Sequence, residues 1–265
     1  PTPAVEQALE ELLEKRDEPR DPPWRGRGPG PGVSRKHLRE ALRRASRVAG
    51  PGPSGSRAGH WAVVLQAPAA FESLAKVADR VAAADLPEEV VAGLAAVCLH
   101  PLRKKPEGVR PVGAGEALRR IIGRALLSAE KGALAEGVGR HQLGAGLKGG
   151  GEKLAHVVRA TAEARPLDCW VALDLSNAFG TMLRDGALEA AAQVVPEYRA
   201  FLEMFLGRDT RYRFIRSSGE AVWMTAGEGA EQGDVWGPIL YSLALAPCVS
   251  VLEEDLRDKL RAAGW

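Results

Sequence analysis

The chain has 265 residues, of which 45% are hydrophobic and 26% are charged, and its formal net charge is +2. This composition is typical of a soluble globular protein with a core in one large or two small domains. No apolar run reaches membrane-spanning length and the start does not resemble a signal peptide, so no membrane partner is expected. Three widely spaced cysteines argue against a disulfide framework or a zinc site.

Residues 1–48 are predicted to form a Pro/Gly/Arg-rich extension, largely flexible, with one or two helices. An amphipathic helix is predicted over 4–16, and the proline and glycine of 17–33 exclude a regular element there. Ser34 is expected to cap a basic helix that continues to about Ala49. Its arginines form either a solvated face or, together with the arginines near residue 120, a surface that follows phosphates.

The rest of the chain is predicted to alternate between helices and short strands. Helices are expected over 69–84, 87–97, 116–135, 150 onward, 184–194 and 197–207. Strands are expected in AVCLHPLR and VRPV, around 171–175, and as a hairpin over 211–216 and 221–225. A last helix begins at Pro238 and is expected to kink or divide at Pro247.

The segment Val171-Ala172-Leu173-Asp174-Leu175-Ser176-Asn177-Ala178-Phe179 is the first candidate site. Its β-forming residues predict a strand that holds the Asp174 carboxylate at its end, where it and the Leu175 carbonyl could coordinate magnesium. The alternative is a strand-end aspartate that caps the next turn. Two nearby acids, Asp168 and Asp185, are interpreted as the start of a strand and of a helix.

Phe179 follows Asp174 by five residues. At the floor of a nucleotide pocket, its ring would stack under the incoming sugar and crowd a 2′-hydroxyl, which favours deoxynucleotides. The alternative is an ordinary core phenylalanine.

Two further segments carry candidate binding residues. Lys104, Lys105 and Arg110 place cationic donors on one turn, where they are either solvated or able to grip a triphosphate. Gly227–Pro238 is rich in glycine, so its backbone could approach a template–nucleotide pair, with Gln232 and Gly233 in contact. A glycine-rich helix start is the alternative interpretation.

Read in chain order, these segments resemble a reverse transcriptase of the non-long-terminal-repeat retrotransposon type. AGPGPSGSRAGHW resembles its leading motif, LRKKPEGVRPVGAGEALRRIIGRAL its fingers segment, and HQLGAGLKGGGEKLAHVVRA the helix that follows. VALDLSNAFG resembles the first palm motif and GAEQGDVWGPILYSLAL the second. The resemblance covers about residues 48–252.

The resemblance implies an α+β right-hand polymerase, helix-rich with short antiparallel strands, with fingers over 49–165 and the first half of a palm over 166–265. It implies that Asp174 is catalytic, that Asp174 and Leu175 bind Mg²⁺, and that Phe179 is the sugar gate. It implies triphosphate binding by Arg110 with Lys104 or Lys105, and template or nucleotide contacts by Gln232 and Gly233. The implied partners are an RNA template, a DNA primer and a dNTP, and the implied location is nuclear.

The sequence departs from the family in ways that bear on catalysis. It contains no Asp-Asp pair, which the family's third palm motif requires, and Val235-Trp236 and Gly180 replace usual residues. A single carboxylate cannot assemble two metal ions, so these 265 residues are expected to be inactive alone. The alternatives are a non-catalytic nucleic-acid-binding remnant of a retroelement, an RNA-copying polymerase of the same shape, and a relic without function.

Overall fold

The computed structural model describes residues 4–5, 7, 30–46, 48–104, 108–139, 142–145, 148–168, 170, 172–231 and 233–262. Helices pack around a core, and four strands form one sheet, so the predicted α+β class is confirmed. None of the described helices is both long enough and apolar enough to cross a membrane.

Ten α-helices are described from Arg35 onward. They are α1 (Arg35–Arg44), α2 (Ala58–Ala62), α3 (Pro68–Ala82), α4 (Glu88–Ala95), α5 (Ala117–Ala129), α6 (Lys131–Gly137), α7 (Gly150–Ala164), α8 (Arg184–Val194), α9 (Arg199–Leu206) and α10 (Gly237–Ala262). Short 3₁₀ turns, Val63–Gln66 and Pro196–Tyr198, precede α3 and α9. The largest buried cluster is formed mainly by these helices, with α1 packed on α5 and α8 packed on α10.

The sheet consists of two hairpins joined side by side. Its strands are β1 (Val97–Arg103), β2 (Val109–Gly115), β3 (Thr210–Ile215) and β4 (Ala221–Ala226), in the order β2-β1-β3-β4. Both predicted hairpins are confirmed as antiparallel pairs. The expectation of antiparallel strands alone is wrong at the centre, where β1 and β3 pair in parallel through Val97–Tyr212 and Cys98–Arg213.

Several predicted helices differ from the observed ones in their limits. The Ser34 side chain caps α1 as expected, accepting the His37 N–H at 3.5 Å, but the helix ends at Arg44. The helix predicted over 116–135 is two helices, because Glu130 leaves helical geometry between α5 and α6. The last helix is not divided, since α10 continues through Pro247.

The strand predicted around Asp174 is wrong. Residues 172–175 have no regular secondary structure and are exposed, and turns follow from 176 to 181. A strand is stable only when a neighbouring strand satisfies its backbone groups. All strand pairings in the described part of the chain are among the four strands β1, β2, β3 and β4, so residues 172–175 have no partner strand there. Asp168 likewise starts no strand, and it forms an exposed ion pair with Arg165 at 3.4 Å.

Candidate functional site

The glycine-rich segment 227–237 lies between the base of the β1–β2 hairpin and the start of α10. Gly233 packs so closely on Gly113 of β2 that an added Cβ at Gly233 would lie 2.1 Å from the Gly113 carbonyl oxygen. Gly113 in turn faces the Glu231 side chain, which a Cβ at Gly113 would approach to 2.9 Å. Gly233 is therefore required by a backbone contact and Gly113 by a side-chain contact. The two predicted binding segments are neighbours. Gln232 lies outside the described residues.

The same segment is hydrogen-bonded to the turn that contains Phe179. The Ala230 N–H donates to the Phe179 carbonyl at 2.8 Å, and the Gly229 N–H donates to the Met182 carbonyl at 2.9 Å. The Phe179 ring is half-buried, with its centroid 5.3 Å from that of Tyr241 on α10. Phe179 thus lies beside the glycine-rich segment, and its ring packs against a helix.

Arg184 stabilises the glycine-rich segment through hydrogen bonds made in the protein interior. Its side chain is fully buried at the start of α8. Its guanidinium donates to the carbonyls of Gly229 at 2.8 Å, Glu228 at 3.1 Å and Arg208 at 2.7 Å, and to the Thr210 hydroxyl at 3.0 Å. Arg184 therefore joins the glycine-rich segment to the beginning of β3.

Arg119 on α5 forms a second buried contact with the segment. Its guanidinium lies 2.5 Å from the Asp234 carboxylate and 3.6 Å from that of Glu231, and it stacks 4.4 Å from the centroid of the Phe205 ring. Burial disfavours the charged guanidinium, but Asp234 and Glu231 outweigh this effect and raise the pKa of Arg119. The prediction that Arg119 belongs to an exposed cationic face is wrong, because its charge is neutralised inside the protein.

The remaining arginines near residue 120 are less buried than Arg119. Arg120 donates to the Gly50 carbonyl at 2.7 Å, and burial and the nearby Arg124 lower its pKa. Beside it, the Glu116 carboxylate accepts the Ser54 N–H and the Ser54 hydroxyl, both at 2.7 Å. The start of α5 therefore fixes the glycine- and proline-rich loop around Gly50–Ser54.

The predicted triphosphate-binding residues lie at the outer end of the β1–β2 hairpin. Arg110 is exposed and pairs with Leu102 in the antiparallel register, and the exposed Lys104 donates its N–H to the Gly108 carbonyl at 2.9 Å. Lys105 lies outside the described residues. The two described cations have the exposure that an anionic ligand requires.

Asp174 and Leu175, the predicted metal ligands, are both exposed. The described residues contain no group of three or more His, Cys, Asp or Glu side chains that could hold a metal ion. A two-ion magnesium site needs several convergent carboxylates. The described residues therefore do not fit such a site, and Asp174 supplies one exposed carboxylate.

Sequence reasoning missed Arg184 altogether and misassigned Arg119. An arginine four residues before an apolar helical position is not by itself a signal of burial, since arginine is among the least buried residue types. The sequence feature that pointed to a buried cation was the pair of acids Glu231 and Asp234 in the glycine-rich segment, because two carboxylates that become buried require a cation nearby.

Comparison with known proteins gives no match to a protein-family model or to a curated protein.

Proposed function

We propose that this chain is the fingers and first half of the palm of a reverse transcriptase of the non-long-terminal-repeat retrotransposon type. In this proposal Lys104 and Arg110 bind the triphosphate of a dNTP, and Gly233 backs the template–nucleotide pair. Phe179 limits the space at the sugar. The parent protein would copy an RNA template from a DNA primer.

One observation carries the proposal: three of the sequence segments that resemble polymerase motifs are in contact although they are far apart in the chain. The glycine-rich segment touches β2 at Gly113 and the Phe179 turn at Ala230. A polymerase requires its nucleotide-gripping hairpin, sugar-contacting aromatic and template-contacting glycines around one space. The contacts bring the base of the hairpin, the Phe179 turn and the glycine-rich segment together, and they support this arrangement without depending on a metal ion.

Catalysis is not assigned to this chain. Two-ion nucleotidyl transfer requires further carboxylates beside Asp174, and neither an Asp-Asp pair in the sequence nor an acidic cluster in the described residues supplies them. We expect no primer extension by the 265 residues alone. Magnesium binding belongs to the proposed parent protein.

The test is dNTP-dependent retention of a primer–template. A fluorescent DNA primer annealed to an RNA template is bound to the full chain, and its dissociation is followed with the complementary dNTP or a mismatched dNTP. We expect the complementary dNTP to slow dissociation about tenfold, because triphosphate and base-pair contacts are then made together. Equal retention with both nucleotides would overturn the proposal.

Arg110→Ala is the diagnostic variant, with Arg103→Ala as its matched control. Both remove one exposed arginine from the same hairpin, but the alternation of strand side chains places Arg103 on the opposite face from Arg110. Only Arg110→Ala is expected to abolish the effect of the complementary dNTP.

A second candidate function is nucleic-acid binding without catalysis. The observation that favours it is the single exposed carboxylate at the predicted metal site in the described part of the chain. This function predicts salt-sensitive RNA binding that is indifferent to dNTP and to chelation of divalent cations. The same assay therefore separates the two candidates.

A further inference from the structure

The four-stranded sheet has one buried face and one open face. Val97, Leu99, Tyr212 and Phe214 are buried on the first face, where they form a small core cluster. Strand alternation and the observed register place the other set of side chains on the second face. We define the open face as Cys98, His100, Leu102, Arg110, Val112, Ala114, Arg211, Arg213, Ile215, Ala221, Trp223 and Thr225. Of these residues only Ala114 is buried.

The β3–β4 half of the open face carries adjacent planar groups. Trp223 is 46% exposed, and the Arg211 guanidinium carbon lies 4.8 Å from the centroid of its ring. Arg213 is the register partner of Trp223 across the two strands. Exposed aromatic rings and guanidinium planes are the groups on which unpaired nucleobases stack.

The open face is also positively charged. It contains three arginines and one histidine, and none of its residues is an aspartate or glutamate. Within the described part of the chain, Arg110, Arg211 and Arg213 form no ion pair. Their charges are therefore available to phosphate groups, which is the complementarity that nucleic-acid binding requires.

A cleft provides a path for a strand beside these planar groups. It has a volume of about 970 Å³ and lies where β1 and β3 stop pairing after Cys98 and Arg213. Both faces of the sheet contribute to its lining, with Arg213, His100 and Leu102 from the open face and Leu99 and Phe214 from the buried face. The lining is mainly apolar and includes the cations Arg103 and Arg213, so it offers contacts both to bases and to phosphates.

We propose that the open face binds single-stranded nucleic acid, with a base stacked on Trp223 and phosphates held by Arg211 and Arg213. A duplex is excluded from this mode because its bases are stacked on each other and their faces are covered. The proposal goes beyond the function proposed above, since it adds β3 and β4 to the face that contains Arg110 and assigns single-stranded nucleic acid to that face. It requires neither catalysis nor a bound dNTP.

The experiment measures binding of the full chain to fluorescent oligo(U) and oligo(dT) of 20 nucleotides, and to a duplex of the same length, by anisotropy. We expect both single strands to bind more tightly than the duplex, since base faces and phosphates are common to RNA and DNA. Trp223→Ala is expected to weaken single-strand binding about tenfold, the usual effect of removing one stacking partner. Trp223→Phe keeps a ring and is expected to bind within about twofold of the natural chain.

Variants that remove one arginine test whether phosphates are bound at the open face or attracted by the net positive charge of the protein. Arg213→Ala is expected to weaken single-strand binding and to reduce its salt dependence by about one unit of slope. Arg80→Ala is the matched control, because it removes one exposed arginine from α3, where Arg80 is paired with Asp85 at 2.9 Å. Thermal melting of every variant establishes that it is folded.

Three results would overturn the proposal. They are unchanged binding by folded Trp223→Ala, equal losses in Arg213→Ala and Arg80→Ala, and duplex binding as tight as single-strand binding. These measurements contain no dNTP and vary Trp223 and Arg213, whereas the primer–template assay measures the effect of a dNTP at Arg110. Either proposal can therefore fail while the other stands.

Discussion

The glycine-rich segment 227–237 and the acidic segment 172–175 both carry predicted site residues, yet the first is largely buried and the second is exposed. The glycine-rich segment accepts hydrogen bonds from Arg184, is paired with Arg119 and packs on Gly113. Among the described residues, the segment with Asp174 has no such partners, and its Leu173 and Leu175 are 76% and 54% exposed. The comparison shows that a sequence motif is held in one position only when other elements supply hydrogen bonds, ion pairs or packing contacts to it.

The reason is the cost of unsatisfied groups. The backbone carbonyls of Glu228 and Gly229 accept hydrogen bonds from the fully buried guanidinium of Arg184. The carbonyls need this donor, and the guanidinium needs these acceptors. For 172–175 no strand lies alongside in the described part of the chain, and its backbone is left to solvent. The following variants compare buried positions with exposed ones through the free energy of unfolding, measured by chemical denaturation.

Arg184→Met is expected to have the largest effect. It removes four hydrogen bonds from a fully buried site and leaves the acceptor oxygens of Gly229, Glu228, Arg208 and Thr210 without this donor. We expect a loss of about 4 kcal/mol. Arg184→Lys restores the charge but not the planar donor fork, so it is expected to recover only part of this loss. A loss below about 1 kcal/mol would contradict the role assigned to Arg184.

Arg119→Met is expected to cost about 3 kcal/mol, because it leaves two carboxylates buried without their cation. Those carboxylates belong to Asp234 and Glu231. The control is Arg165→Met, which removes an arginine from an exposed ion pair with Asp168 and is expected to change stability by less than about 0.5 kcal/mol. Equal effects of the two substitutions would mean that the Arg119 contact is no stronger than a surface pair.

Gly233→Ala is expected to destabilise the protein by about 2 kcal/mol, because its Cβ would collide with the Gly113 carbonyl and move the segment. Gly186→Ala on α8 is the matched control, since no atom lies within 4 Å of a Cβ added there. That change is expected to stabilise the protein by about 0.5–1 kcal/mol through helix propensity. A neutral Gly233→Ala would show that the segment yields easily and is not held against β2.

Leu154→Ala on α7 is expected to have the smallest effect, within about 0.5 kcal/mol, because Leu154 is half exposed. The same substitution at Leu202 on α9, which is 2% exposed, is expected to cost about 3 kcal/mol. A large loss at Leu154 would mean that another part of the protein covers α7.

Local patterns in the sequence predicted many of the elements well. The N-cap at Ser34, the proline in the first turn of α10 and the turns of both hairpins act over a few residues, so they can be predicted without knowledge of the fold. The predictions that failed depend on distant partners. A strand at 172–175 would have needed a neighbouring strand. The burial of Arg119 could be predicted only by knowing that Glu231 and Asp234 fold against α5.

The candidate site follows the same division. Residue chemistry identified the cationic hairpin, Phe179 and the glycine-rich segment as candidate binding groups, since charge, aromatic shape and backbone freedom are properties of single residues. Their adjacency could not be read from the sequence, because Gly113 and Gly233 are 120 residues apart and meet only through packing. The same holds for Trp223 and Arg211, whose stacking depends on the β3–β4 register.

By itself the sequence determined which residues form helices and hairpins and which carry charge, because these properties depend on neighbours along the chain. Tertiary structure alone decided that Arg184 and Arg119 are buried, that Asp174 is exposed, and that one face of the sheet remains open. The physical reason is that burial is a property of a site shared by distant segments. Whether a polar group is satisfied there depends on partners that no local pattern specifies.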